Sequence, residues 1–230
     1  MGLGKAVVSS LVTGAAFAAE AHLFHQLAHV PLPLSRYLLY VGLAGGLYSA
    51  LRLRKALAQA SALLVAALCG VLSCHGAPCN KTAAALALLV VALYPGRLRK
   101  GPFRKPLSIT LAWLLGLAAL TPHPPLPLLA TQALLLFALT LPYDVATQDT
   151  DTIPTLPRQY GEKLTYWTYQ VALGSYAGWS WFLLPALRLP TLLTALVAGA
   201  LVSWKRSLRW PYLLLYDGLL VGQAALAALL

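Results

Sequence analysis

Three of the six acidic residues in this 230-residue chain lie within eight positions, at Asp144, Asp149 and Asp151. They follow Pro142 at the end of a long apolar run. Carboxylates this close repel one another unless a cation neutralises them. Mg²⁺ prefers carboxylate, water and phosphate oxygens, so the cluster favours a magnesium site that also holds an anion.

A fourth carboxyl group, Asp217, extends this candidate site. It lies about 9–10 Å into the last apolar run at 1.5 Å per residue, and Tyr212 and Tyr216 flank it. An ionisable group inside a membrane span usually faces a cavity or a partner rather than lipid. We place Asp144 at the end of the sixth predicted helix and Asp149 and Asp151 in the loop after it, and we expect Asp217 to join these three aspartates as a metal-binding group in one polar pocket.

The composition determines which elements must position these residues. The chain is 59% hydrophobic and 10% charged, against roughly 25% charged residues in a soluble domain. Only helices and closed barrels satisfy backbone hydrogen bonds in lipid, and the apolar runs here are continuous rather than alternating. We predict an all-α, polytopic transmembrane helical bundle that forms a single domain over residues 1–230.

Proline, glycine and basic residues divide the apolar runs into about nine predicted helices. Their approximate bounds are Ala6–Ala28, Pro33–Leu51, Ala56–Ser73, Thr82–Tyr94, Pro106–Leu120, Pro127–Tyr143, Glu162–Leu184, Pro190–Trp204 and Pro211–Leu230.

The basic residues alternate between the two sets of loops. Only Arg36, Lys81 and Arg188, of 17 Lys and Arg, fall on one side. Because Lys and Arg concentrate in cytoplasmic loops, we expect a cytoplasmic N-terminus, a cytoplasmic aspartate segment and an outer C-terminus. The net charge of +11 is explained by these loops, so no nucleic-acid partner is expected. The predicted location is a bacterial inner membrane, crossed several times.

Two cytoplasmic loops carry clusters of basic residues that are candidates for holding a diphosphate. The clusters are Arg52, Arg54 and Lys55, and Arg97, Arg99, Lys100, Arg104 and Lys105. The alternative interpretation is that these residues only set the topology and that the loop aspartates face water.

The segment Asp144-x6-Asp151, with Thr155-Leu-Pro157 and Tyr160-Gly161 after it, resembles the second aspartate-rich motif of the UbiA-type intramembrane prenyltransferases. Leu93-Tyr-Pro95 followed by Arg97 and Arg99 looks like that family's Tyr-Pro and basic element. Nine helices with a cytoplasmic active face are also similar to the family.

The resemblance implies roles for particular residues. Asp144 and Asp151 would bind the Mg²⁺ that holds a prenyl diphosphate. The residues implied to contact the diphosphate are Arg97, Arg99, Arg158, Tyr160 and Lys163. The metal would neutralise the leaving diphosphate while an apolar acceptor attacks the prenyl group.

The chain departs from the family at two places. The region equivalent to the first aspartate motif, Gly46–Lys55, contains no Asp, Glu or Asn. Thr147 stands where the second motif has its middle aspartate, unless a shifted register brings in Asp149. One hypothesis is therefore an Mg²⁺-dependent prenyltransferase. The alternative is a catalytically lapsed relative that binds a lipid or serves as a subunit of a membrane complex. A transporter, resting on Asp217 and Glu20, is a third and weaker hypothesis.

The opposite, outer face carries a second set of candidate groups. His22, His25 and His29 are spaced by three and four residues and would share a helical stripe able to bind Zn²⁺ or another transition metal. The alternative is that they are interfacial polar residues, with Glu20 beside them. Cys74 and Cys79 are candidates for a disulfide in an oxidising compartment.

Small residues one helical turn apart mark places where helices approach closely. We interpret three such pairs as contacts within the chain: Gly42/Gly46, Gly174/Gly178 and Gly218/Gly222.

Overall fold

The computed structural model describes residues 3–52, 56–75, 79–94, 98, 100–148, 153–202 and 209–229. Within these ranges the regular secondary structure is entirely helical. Ten α-helices follow one another: α1 Leu3–Leu27, α2 Leu34–Arg52, α3 Ala56–Cys74, α4 Lys81–Leu93, α5 Arg104–Leu120, α6 Leu126–Thr147, α7 Leu156–Tyr160, α8 Glu162–Leu183, α9 Arg188–Val202 and α10 Arg209–Leu229. Nine of them correspond to the predicted helices, with bounds that differ by a few residues, so the all-α class is confirmed.

The sixth predicted helix was ended too early. It was predicted to end at Tyr143, but α6 continues to Thr147 with Pro142 inside it. A proline removes one backbone donor, and apolar helices tolerate it when neighbouring groups satisfy the freed carbonyl. The extra turn places Asp144 within α6 rather than at its end.

The short helix α7 is the element that the apolar periodicity did not predict. It begins with Leu156 and Pro157, and proline suits a first helical turn because its missing N–H has no partner there. Gly161 separates α7 from α8 with φ +84°, a conformation that only glycine adopts readily. The Thr-Leu-Pro and Tyr-Gly residues of the motif are therefore the start and the end of one helical turn.

Helix α1 lies between two groups of helices. It packs against α2 and α10, with a smaller contact to α5, while α6 packs on α8 and α9 lies between α8 and α10. Small side chains allow this close approach, since Ala16, Ala18 and Ala21 are fully buried. One apolar core joins Ala16 to α6, α8, α9 and α10. A second core joins the C-terminal half of α1 to residues of α2 and α5.

The three glycine pairs have different surroundings. A Cβ built on Gly46 would lie 2.9 Å from the carbonyl oxygen of Ala62 on α3, so this glycine is needed for the α2–α3 contact. Gly42 faces the sulfur of Cys69 in the same interface. The contact predicted within the chain is confirmed for this pair. It is wrong for Gly174/Gly178 and Gly218/Gly222, where an added Cβ meets no described atom within 4 Å.

Within the part of the chain that the structure describes, three helical segments are long and apolar enough to cross a membrane: Val7–Leu27, Leu57–Cys74 and Leu126–Ala146. Large apolar side chains also cover the exterior, with Leu57 and Phe182 about four-fifths exposed. A water-soluble surface rarely carries so much contiguous apolar area. These observations are consistent with the predicted membrane protein.

Candidate functional site

Asp144, the first aspartate of the motif, is engaged by a lysine. Its Oδ1 lies 2.6 Å from Nζ of Lys105, and the two side chains are 2% and 6% exposed. Lys105 is the second residue of α5, and Asp144 lies in the last turn of α6. Because α5 and α6 are consecutive helices joined by a short loop, the start of one meets the end of the other. The two charges neutralise each other inside the protein.

The environment of Lys105 makes this pair important for the fold. A cation in the first turn of a helix is disfavoured by the helix dipole, and burial of a charge is costly without a partner. The ring of Tyr143 lies 6.0 Å from the ammonium group, which adds a weaker attraction. Lys105 was expected among the diphosphate-contacting residues of its loop. That expectation is corrected, since Lys105 faces Asp144 in the interior.

The other candidate diphosphate contacts lie around α7. Arg158 and Tyr160 on α7, and Lys163 at the start of α8, are exposed. Nε2 of Gln148 donates to Oε1 of Glu162 at 2.6 Å, which ties the residue after α6 to the first residue of α8. Exposed basic side chains and the end of α6 therefore belong to one end of the helical array. Arg97, Arg99, Asp149 and Asp151 lie outside the described residues.

Asp217 has a different partner from Asp144. Oγ1 of Thr13 on α1 donates to its Oδ2 at 2.7 Å, and Asp217 is half-buried on α10. The adjacent Tyr216 is buried, and the side chain of Tyr212 lies outside the described part. Asp217 is thus held in the α1–α10 interface, by a hydroxyl rather than by a carboxylate cluster.

The described residues do not fit a magnesium ion. No three His, Cys, Asp or Glu side chains within the described ranges come together as a metal-binding group. Asp144 already has a buried cation beside it at 2.6 Å, and a divalent cation there would be repelled by the ammonium group. The predicted Mg²⁺ site would therefore depend on Asp149 and Asp151.

The three histidines that were predicted to lie on the outer face do not form one helical stripe. Helix α1 ends at Leu27, so His29 lies beyond it, with a left-handed φ of 55°. His25 is buried and its Nε2 lies 3.2 Å from the carbonyl oxygen of Leu120. His22 and His29 instead line a groove of about 430 Å³. The geometry favours interfacial polar residues over a three-histidine metal site.

Cys74 and Cys79 are neighbours, as the disulfide prediction requires. Both are free thiols in this structure. Burial raises the pKa of the Cys79 thiol to about 11, and a hydrogen bond with the Cys74 side chain adds to the rise. The disulfide between them stays a prediction.

Sequence reasoning missed a group of buried polar side chains in the interior. Glu20 and Gln223 are fully buried. Neither the carboxylate oxygens of Glu20 nor the amide atoms of Gln223 have a hydrogen-bond partner among the described residues. Glu20 was expected at the polar end of its helix beside the histidines, but it is fully buried in the interior. Polar residues at mid-helix positions of apolar runs were the available signal.

Comparison with known proteins adds no relative to this description. Neither a family model, nor a curated protein, nor a solved structure matches the chain.

Proposed function

We propose that this chain is a multi-pass membrane protein of the UbiA prenyltransferase type that has lost metal-dependent catalysis and binds a membrane lipid. In this proposal it acts alone or as a subunit of a membrane complex. The observation that carries the proposal is the buried contact of 2.6 Å between Lys105 and Asp144.

The chemistry of the ion pair supports this choice. A carboxylate that binds Mg²⁺ must offer oxygen lone pairs to the metal. Lys105 takes up one carboxylate oxygen of Asp144 and also supplies the positive charge that the metal would bring. The segment Gly46–Lys55, which lacks carboxylates, supports the same proposal, since a second metal site would have no ligands of this kind there.

Mg²⁺-dependent prenyl transfer to an apolar acceptor is the second candidate function. The observation that favours it is the placement of Arg158 and Lys163, which are exposed beside the end of α6. Cationic side chains next to a carboxylate motif are suited to a prenyl diphosphate. In this candidate, Asp149 and Asp151 would supply the metal ligands.

The proposal is tested by measuring diphosphate release. The purified protein is incubated with farnesyl diphosphate, in detergent, with Mg²⁺ or with EDTA. We expect no Mg²⁺-dependent release from the wild type, and the same background from the Asp144→Ala variant. Release that needs Mg²⁺ and disappears in Asp144→Ala would contradict the proposal and support the second candidate.

The multi-pass arrangement is tested separately by topology. We expect single cysteines placed in the loop with Arg52 and in the loop with Arg97 to be labelled from the cytoplasmic side only. A cysteine beside Arg188 should be labelled from the outer side. Labelling of all three sites from one side would overturn the alternating topology.

A further inference from the structure

The facing sides of α9 and α10 enclose a groove of about 390 Å³. This volume lies in the range of about 300–1,000 Å³ that small-molecule sites occupy. Its walls are mostly apolar, as Leu193, Val197 and Leu219 illustrate, and its polar side chains are Thr194 and Gln223. Apolar walls with a few polar groups are the usual composition of a ligand site.

The chain itself does not fill the groove. Gly218 and Gly222 line it, and a Cβ added to either glycine would meet nothing within 4 Å in the described structure. Both glycines keep this wall of the groove free of side chains. A bulkier residue would therefore occupy the groove without displacing a neighbouring helix.

Gln223 supplies the second and independent observation. It is 0% exposed, lines the groove, and its amide nitrogen and oxygen have no hydrogen-bond partner among the described residues. A buried polar group without a partner keeps the full desolvation penalty, which a hydrogen bond to a ligand would relieve. An amide in this state is suited to a ligand that donates one hydrogen bond and accepts another.

The shape of the groove indicates the kind of ligand. Along α10 it runs from Leu215 to Leu226, about 16 Å at 1.5 Å per residue, which is close to half of a hydrocarbon core about 30 Å thick. Its volume divided by this length gives a mean cross-section of about 24 Å², or about 5 Å on a side, whereas a helix with its side chains is about 10–12 Å across. A single extended alkyl chain therefore fits the groove better than a helix of a partner protein does.

We infer that the α9–α10 groove binds an uncharged single-chain amphiphile whose head group both donates and accepts a hydrogen bond, such as a long-chain alcohol. The alkyl chain of the ligand lies along the leucines of the groove, and its head group forms hydrogen bonds with the Gln223 amide. The inference rests on the proposed function, because it names the lipid class that the chain would bind.

The test uses a photoreactive, alkyne-tagged dodecanol with the full-length protein in phosphatidylcholine vesicles. We expect labelled peptides from α9 and α10, and competition by 1-dodecanol but not by dodecane. Gly222→Val should reduce labelling at least fivefold, because its side chain fills the groove. Gly174→Val is the matched control, since Gly174 is also exposed and open but does not line the groove. It should leave labelling unchanged.

The Gln223→Leu variant tests the contact with the ligand's head group separately from the contact with its alkyl chain. We expect this variant to lose the preference for dodecanol over dodecane. Equal labelling of the wild type and Gly222→Val, or equal competition by dodecane, would overturn the inference. The groove would instead be a contact between two copies of the protein under one result. In that case two wild-type copies cross-link, Gly222→Val abolishes the cross-link, and the variant is labelled by the dodecanol probe as strongly as the wild type. Diphosphate release tests the proposed function alone, so the two failures are distinguishable.

Discussion

Two buried carboxyl groups of this chain have opposite surroundings. Asp144, at the end of α6, lies 2.6 Å from the ammonium group of Lys105. Glu20, within α1, is fully buried, and its carboxylate oxygens have no hydrogen-bond partner in the described ranges. An ion pair offsets the desolvation of its two charges, whereas an unpartnered carboxyl group keeps the full penalty. Asp144 is therefore a structural group, and Glu20 is a destabilising one.

Breaking the ion pair should have the largest effect. We expect Asp144→Leu or Lys105→Met to lower the free energy of unfolding by about 3–5 kcal/mol, because each removes the opposite charge that lies 2.6 Å from a buried charge. The double variant should regain most of this loss. The free energy of unfolding of the three variants is measured in a detergent series.

The exposed Lys163 provides the control for this cycle. Lys163→Met should change the unfolding free energy by at most about 0.5 kcal/mol. If the double variant loses the sum of the two single losses, Lys105 and Asp144 do not interact and the account of the pair is wrong.

The glycine pairs allow a second comparison, between a glycine that another helix covers and a glycine that faces open space. Gly46→Val should cost about 1–3 kcal/mol through overpacking, since its new side chain would meet Ala62 and Ala66 on α3. Gly218→Ala should be neutral or stabilise the protein by up to about 1 kcal/mol, because alanine favours helix. Thermal unfolding of the purified variants measures both changes in stability. Equal losses at both positions would mean that the α9–α10 groove is closed.

Removing the unpartnered carboxyl group should increase stability. We expect Glu20→Leu to raise the free energy of unfolding by about 1–3 kcal/mol, because an apolar side chain needs no partner. Glu20→Gln, which stays polar, should fall between the wild type and Glu20→Leu. A loss of stability in Glu20→Leu, measured in the same detergent series, would show that Glu20 has a partner.

The smallest effect concerns reactivity rather than stability. With a pKa of about 11, the Cys79 thiol should react with maleimide at pH 7 about 300-fold more slowly than a peptide cysteine, whose pKa is about 8.5, because the thiolate fraction is lower by that factor. The rate should rise about tenfold per pH unit up to about pH 11, because deprotonation generates the reactive thiolate.

Cys74 provides the matched change for this measurement. In a Cys69→Ala background, Cys74→Ala should speed the labelling of Cys79, since it removes the hydrogen bond that adds to the raised pKa. If Cys79 is not labelled until a reductant is added, the predicted disulfide between Cys74 and Cys79 is established instead.

The helices could be predicted because proline, glycine and basic residues separate long apolar runs. The exceptions depend on local backbone chemistry: Pro142 does not end α6, and α7 has only five residues. The partner of Asp144 could not be predicted from spacing, because Lys105 is 39 positions away and meets it only when α5 lies beside α6.

The open and closed glycine pairs show the same limit. Gly42/Gly46 and Gly218/Gly222 have the same spacing, yet only the first pair has a helix packed on it. The difference arises from the arrangement of α2, α3, α9 and α10, which local sequence does not encode.

The central claim is that Lys105, rather than a metal ion, neutralises Asp144. Electron paramagnetic resonance of Mn²⁺, which prefers the same oxygen ligands as Mg²⁺, tests it in the presence of farnesyl diphosphate. We predict the same amount of bound Mn²⁺ in the wild type and in Asp144→Asn. Saturable Mn²⁺ binding to the wild type that Asp144→Asn abolishes would contradict the claim.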